Sequence, residues 1–253
     1  MIHETVVTTM SPEGIVHVAP MGVVADARTI LLKPFRPSAT LDNVLATGSA
    51  VVNFTTDVRI FAGCVTGRKE WPTLPAEVVQ GARLVSTLAH CEVRLLEQRD
   101  DPQRPQLLMQ RVHEVRHGDF QGFNRAQSAV LEAAVLVSRL GMLEPQKIAR
   151  EFEYLHIAIA KTAGDAERLA WRWLLTAVER HHPGLLPAAM SGDAPCSPCS
   201  PACATGRRRA MPPPPAPTSS TSRIRRRARS ARWRCATLRQ SRRRSGWAGR
   251  SGR

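Results

Sequence analysis

Ser38-Ala39-Thr40-Leu41-Asp42-Asn43 places two hydroxyls and a carboxamide at the start of a segment with helical character. The first N–H groups of a helix have no partner inside it, and they sit at the positive end of the helix dipole. Hydroxyls added there make a ready site for an anion such as a phosphate. Arg36, two residues upstream, adds a guanidinium suited to phosphate oxygens. The helix is expected over 38–46, with Ser38 or Thr40 as N-cap and Gly48 as its stop. The competing reading of the same hydroxyls is a plain helix cap.

Other candidates surround this segment. Thr8 and Thr9 lie in a β-branched run, and Met21-Gly22 follows Ala19-Pro20. Glycine at that point would let a ligand come close to the backbone. Asn43 and Asn53 offer donors and acceptors, or serve turns and barrel corners. Asn124-Arg125 opens a later helix, and Lys161-Thr162 ends another. These four either contribute to a ligand site or cap helices and pair with Glu132 or Glu151.

Little else declares a chemistry. The glycine-rich nucleotide fingerprints are absent, so Lys161-Thr162 only looks like a phosphate loop. No Gly-x-Ser-x-Gly occurs. Asp57, Glu132 and Glu151 are too scattered to argue as an acid–base pair. His17, His90 and His113 read as strand residues. Cys196-x-x-Cys199 has Pro and Ser in its spacing and no second knuckle, so no metal site is expected. Cys64 and Cys91 are the two cysteines of the first 182 residues, which points to a reducing compartment. The N-terminus has no basic, signal-like start, and no apolar run approaches membrane-spanning length. A cytoplasmic protein without a membrane segment is expected.

The charge is divided unevenly. The chain carries 36 Lys+Arg and 21 Asp+Glu, a net of +15. Residues 183–253 hold 16 Arg and one acid, Asp193, leaving 20 basic and 20 acidic residues in 1–182. The tail is dominated by Pro, Arg, Ala and Ser, and it lacks the apolar surface to offset its ordering entropy. Residues 191–253 are therefore expected to be disordered. Their composition fits a GC-rich gene read out of frame, or else an arginine arm or a solvated linker. No specific nucleic-acid partner is expected, because the net charge describes a tail and not a domain.

In the first half, strands are expected over 5–9, 15–18, 29–32, 50–54, 84–96 and 106–117. Residues 11–14, Ser-Pro-Glu-Gly, should turn the first hairpin. Helical spacing then takes over at 124–140, 145–161 and 166–181. The fold class is α+β: a barrel over 1–120, a helical subdomain over 121–190 and the tail over 191–253.

Two segments carry a resemblance. Glu4 to Thr9 with Gly14 and Ala19-Pro20-Met21-Gly22-Val23 is one. Ser38-Ala39-Thr40-Leu41-Asp42-Asn43-Val44 with Gly48 and Val51-Val52-Asn53 is the other. Together they resemble the FMN-binding split-barrel superfamily, which includes the flavin reductases. Asp57, Phe61-Ala62, Asn124-Arg125-Ala126, Glu132, Arg139 and Lys161-Thr162 resemble one branch of it. That branch is a family of unknown function from methane-producing archaea and some one-carbon-using bacteria, with a helical C-terminal subdomain. His17 departs from the pattern, which has Asn before Ala-Pro.

The resemblance implies a split β-barrel, FMN as cofactor and a homodimer with flavin at its interface. It implies flavin contacts from Thr8, Thr9, Met21, Gly22, Arg36, Ser38, Thr40, Asn43, Asn53, Asn124, Arg125 and Lys161. A flavin reductase-like oxidoreductase is the activity implied, with no catalytic side chain singled out. The alternative is a non-catalytic flavin or pterin accessory protein of tetrahydromethanopterin-linked one-carbon metabolism.

Overall fold

A computed structural model describes residues 1–191; the arginine-rich segment beyond, with Cys196, Cys199, Cys203 and Cys235, lies outside the described residues. β1 (Ile2–Met10) and β2 (Val16–Ala25) pair antiparallel around the expected turn, with Gly14 at φ 86°. β3 (Thr29–Leu32) follows, and then α1 (Ala39–Thr47), β4 (Ser49–Phe54) and α2 (Val58–Val65). β5 (Thr73–Pro75) and β6 (Ala82–Leu84) make a small two-stranded flap. β7 (Ala89–Arg99) and β8 (Gln106–Arg116) complete a closed barrel in the order β1-β2-β3-β8-β7-β4. Closure leaves the barrel no free edge to recruit another strand.

Strand alternation sorts the side chains between two cores. Val7, Val23, Ile30, Val52, Val93 and Met109 fill the barrel, joined by Leu41 and Val44 of α1. Val6 and Val18 point outward and pack with Ile60, Phe61 and Leu84 of α2 and the flap. A third cluster joins α2 to α3 (Arg125–Val137), α4 (Pro145–Thr162) and α5 (Asp165–His181). Ala126, Ala129, Ala133 and Ala134 let α3 lie close to its neighbours, while Phe152 and Trp171 meet at 5.2 Å between ring centres. The α+β split barrel with helices after it is the expected fold class.

The helix expected over 38–46 is α1, capped by Ser38 and ended by Gly48 at φ 69°. Other expectations need correction. A single strand over 84–96 does not form. Thr87 donates its hydroxyl toward the carbonyls of Phe54 (3.0 Å) and Ala89 (2.5 Å), and this turn separates β6 from β7. The helix expected to reach Leu140 ends at Val137, with Ser138 as its cap. α2 is missing from the sequence reading because the short run Ile60–Val65 that makes most of it does not separate a short helix from a buried strand. Asp57 decides it locally, accepting from the Arg59 N–H at 3.2 Å. Among the described residues no helix is long and apolar enough to cross a membrane.

Gly63, in α2, supports the indole of Trp71. A Cβ on Gly63 would lie 2.3 Å from the Trp71 ring. Gly63→Ala should therefore destabilise the protein by about 1–3 kcal/mol through overpacking, despite alanine's better helix propensity. Urea unfolding of the two proteins measures this directly, and a more stable variant would show that the ring moves freely.

Candidate functional site

A cavity of about 360 Å³ opens between the barrel and α3. Pro20, Met21 and Gly22 of β2 form one wall, and Phe61, Leu131 and Val135 form an apolar wall opposite. Lys33, Phe35 and Arg104 also line it. The Arg104 guanidinium lies 4.5 Å over the Phe35 ring and donates to the Lys33 carbonyl at 3.2 Å. Asp101 sets the loop behind it, accepting from the Gln103 and Arg104 N–H groups at 2.9 and 2.7 Å. Gly22 is close under its neighbours: a Cβ there would lie 2.8 Å from Ile2 Cγ2 and 3.3 Å from Glu4 Oε1.

The start of α1 follows directly in the chain. Three residues after Phe35, Ser38 accepts from the Leu41 N–H at 3.3 Å. Three residues span at most about 10 Å, so cavity and helix start are neighbours. Arg36 sits between them, exposed, with its backbone N–H on the Gln103 carbonyl at 2.9 Å and its guanidinium on Asp100 at 2.8 Å. Thr40 is buried in the first turn. Met21 and Gly22 thus line the cavity, while Arg36, Ser38 and Thr40 lie on the segment that leaves it and are not part of its lining.

The remaining expected residues lie elsewhere. Thr8 and Thr9 are consecutive in β1 and so point to opposite faces. Thr9 faces the α1 side, where it accepts from Asn43 Nδ2 at 3.0 Å. Thr8 and Asn53 are fully buried beneath the flap. Asn53 donates to the Val6 carbonyl and to Thr8 Oγ1, both at 3.1 Å, and accepts from the Leu84 N–H at 2.8 Å. Thr8 donates to the Ala82 carbonyl. Their polar atoms are engaged in fastening the flap to the barrel.

Asn124 caps α3 through the Ala126 N–H at 2.8 Å and ties it to α4 through the Thr162 carbonyl at 3.1 Å. Six residues, about 9 Å of helix, separate Arg125 from Leu131 at the cavity. Arg125 and Lys161 are exposed, and among the described residues neither forms an ion pair with Glu132 or Glu151.

The sequence reading missed an ionisable chain that runs from the buried Glu92 and His90 to the exposed His117. Glu92, fully buried on the outer face of β7, accepts from the N–H groups of Glu77, Val78 and Val79 at 2.6, 2.7 and 2.8 Å. Its Oε1 lies 3.3 Å from His90 Nε2, and His90 Nδ1 lies 2.8 Å from His117 Nε2. The His90 and His117 rings stack 7° from parallel. Partial desolvation of its ring lowers His117 from its ordinary 6.5, helped by the nearby Arg83 charge. The signal was present in His113-Glu114-Val115-Arg116-His117, whose spacing is that of a helical zinc motif. Here it lies along and just past strand β8, and His113 turns instead to Glu77 at 3.2 Å. Among the described residues no group of three or more His, Cys, Asp or Glu is arranged to hold a metal ion.

A closed six-stranded antiparallel barrel, filled from one side by a short helix and extended by a helical bundle, defines a split-barrel protein. The chain belongs to the family described as protein of unknown function (DUF447). The model of its N-terminal domain matches residues 3–118, and a second model of the family matches residues 124–176. Among solved structures, the chain is similar to the FMN-bound protein MM1853 from Methanosarcina mazei, of the same family. That match has 21% identity and a TM-score of 0.60 over 70% of this chain and 94% of that one. It shows the shared fold. The 2-nitrobenzoate 2-nitroreductase NbaA of Pseudomonas fluorescens matches at 20% identity and TM-score 0.40, over 45% of this chain and 64% of that one. Nitrilotriacetate monooxygenase component B from Mycobacterium thermoresistibile matches at 15% and 0.42, over 47% and 72%.

Proposed function

We propose that this protein binds FMN and is an oxidoreductase of flavin reductase-like type. One observation carries the reading: an apolar cavity beside the Met21-Gly22 backbone leads within three residues to the capped, donor-rich start of α1. A flavin needs that pairing, a slot for a flat ring and an anion site one sugar-chain length away. The family relative from Methanosarcina mazei, described as FMN-bound, supports the assignment.

The groups present suit the cofactor. A cavity near 360 Å³ lies within the usual range for small-molecule sites, about 300–1,000 Å³. Ser38, Thr40 and Arg36 would hold the phosphate with the free N–H groups of α1's first turn. Met21, Gly22 and Phe35 would seat the ring, and Phe61, Leu131 and Val135 would keep water from it. Asn43 and Thr9 support the helix start from below. FMN, when bound, supplies the hydride or electron chemistry, which the protein steers by orientation and exclusion of water. Lys33 and Arg104 are matched on the cavity lining by Glu4 and Glu132, so the site is charged but balanced.

The functional unit is a homodimer in this reading, with flavin near the edge shared by two copies, and free Cys64 and Cys91 suit the reducing cytoplasm. Light scattering should report a dimer. The activity is tested by mixing FMN-loaded protein with NADH or NADPH without oxygen. Bleaching of the visible flavin bands faster than for free FMN is expected, and equal rates would reject the oxidoreductase assignment.

A further inference from the structure

We propose that the cleft between Trp71 and Trp173 is a second small-molecule site, taking a flat heteroaromatic ring with a hydrogen-bond donor and acceptor adjacent on one edge. The cleft encloses about 340 Å³ and is lined by the two tryptophans with Ile60, Leu84 and Leu169, while Asp57 and Arg59 supply its charged groups. It shares no lining residue with the cavity assigned to FMN, and the inference does not depend on that assignment.

Its walls are fixed before any ligand arrives. Trp71 is seated on Gly63, where a Cβ would come within 2.3 Å of the ring. The Arg68 guanidinium covers one face of Trp173 at 3.8 Å, and Arg68 is itself held by Thr66 Oγ1 at 2.8 Å. Asp57 grips Arg59 through two bonds, Nε to Oδ1 at 2.8 Å and Nη2 to Oδ2 at 2.7 Å. A site whose side chains are already ordered loses little rotamer entropy on binding.

The chemistry of the lining selects the ligand. Indoles favour flat rings by stacking and area burial. The Asp57–Arg59 pair uses Nε and Nη2 of the guanidinium and leaves Nη1 as a donor; Oδ1 already accepts from the Arg59 N–H and Nε, while Oδ2 accepts one bond and has room for another. The pair thus presents an acceptor and a donor side by side. The complementary edge is that of a ring lactam, with N–H beside C=O, as in guanine.

Guanosine and N1-methylguanosine are the probes, measured by equilibrium dialysis against the full chain. Saturable guanosine binding at or below about 1 mM is expected, weakened about tenfold or more by the N1-methyl group, which removes one hydrogen bond. Arg59→Met and Trp173→Leu should each cost a similar factor. Thermal melting of both variants checks that they fold; if Trp173→Leu does not, Arg59→Met, at the half-exposed start of α2, carries the test. Absence of saturable guanosine binding, equal affinity for the two nucleosides, or unchanged affinity in folded Arg59→Met overturns the proposal.

Discussion

Glu92→Leu is expected to lower the unfolding free energy by at least about 3 kcal/mol, since hydrogen bonds to charged groups contribute about 1.5–3 kcal/mol each and three are lost. The carboxylate is buried and accepts all three N–H groups of the Glu77–Val79 turn. Leucine fills much of the volume and leaves those donors without a partner. The flap that carries Leu84 then loses one of its attachments to the barrel and keeps those through Asn53, Thr8 and Ser49. Urea midpoints at neutral pH measure the loss.

The same residue sets a pH dependence. Burial alone would raise the Glu92 carboxyl, but the N–H bonds from Glu77, Val79 and Val78, with the His90 ring, together hold it below its ordinary 4.5. A folded-state value below the unfolded one means stability that is present above about 4.5 and lost as pH falls through the folded value. The wild-type protein should lose stability steeply in that acid range. Glu92→Leu should lack this part of the slope, so the gap between the two proteins should narrow as the medium is acidified.

The second large effect concerns the anion site. Arg36→Ala combined with Thr40→Ala should weaken FMN binding by about 100-fold or more, from two charge-assisted bonds of about 1.5–3 kcal/mol each. Riboflavin, which lacks the phosphate, should lose little. Isothermal titration with both ligands separates the cases. Equal loss for FMN and riboflavin would mean that these residues support the ring or the fold, and not the phosphate.

Local signals in the sequence translate well where one residue decides the geometry. Ser38 and Gly48 bracket α1 because a hydroxyl at the N-cap and a glycine at positive φ are local requirements. The barrel strands are legible from alternation, since one face is filled by Val7, Val52 and Val93. What covers the other face is not local. Thr8 and Asn53 offer hydroxyl and amide groups that sequence cannot assign to a ligand or to the fold. The flap that takes up their hydrogen bonds returns some thirty residues after Asn53. His90, Glu92 and His117 fail for the same reason: strand pairing between β7 and β8 brings them together. The Trp71–Trp173 cleft joins residues a hundred positions apart through the packing of α2 on α5.

The account rests on a flavin seated between β2 and the start of α1, and the visible spectrum of the protein tests it most directly. Full-length protein is incubated with excess FMN, passed through a desalting column and its absorption compared with protein concentration. The account predicts the bands of oxidised flavin at one FMN per chain, perturbed in shape from free FMN by the apolar walls of Phe61, Leu131 and Val135. A colourless, folded protein after the column, with no saturable FMN binding by titration, would contradict it.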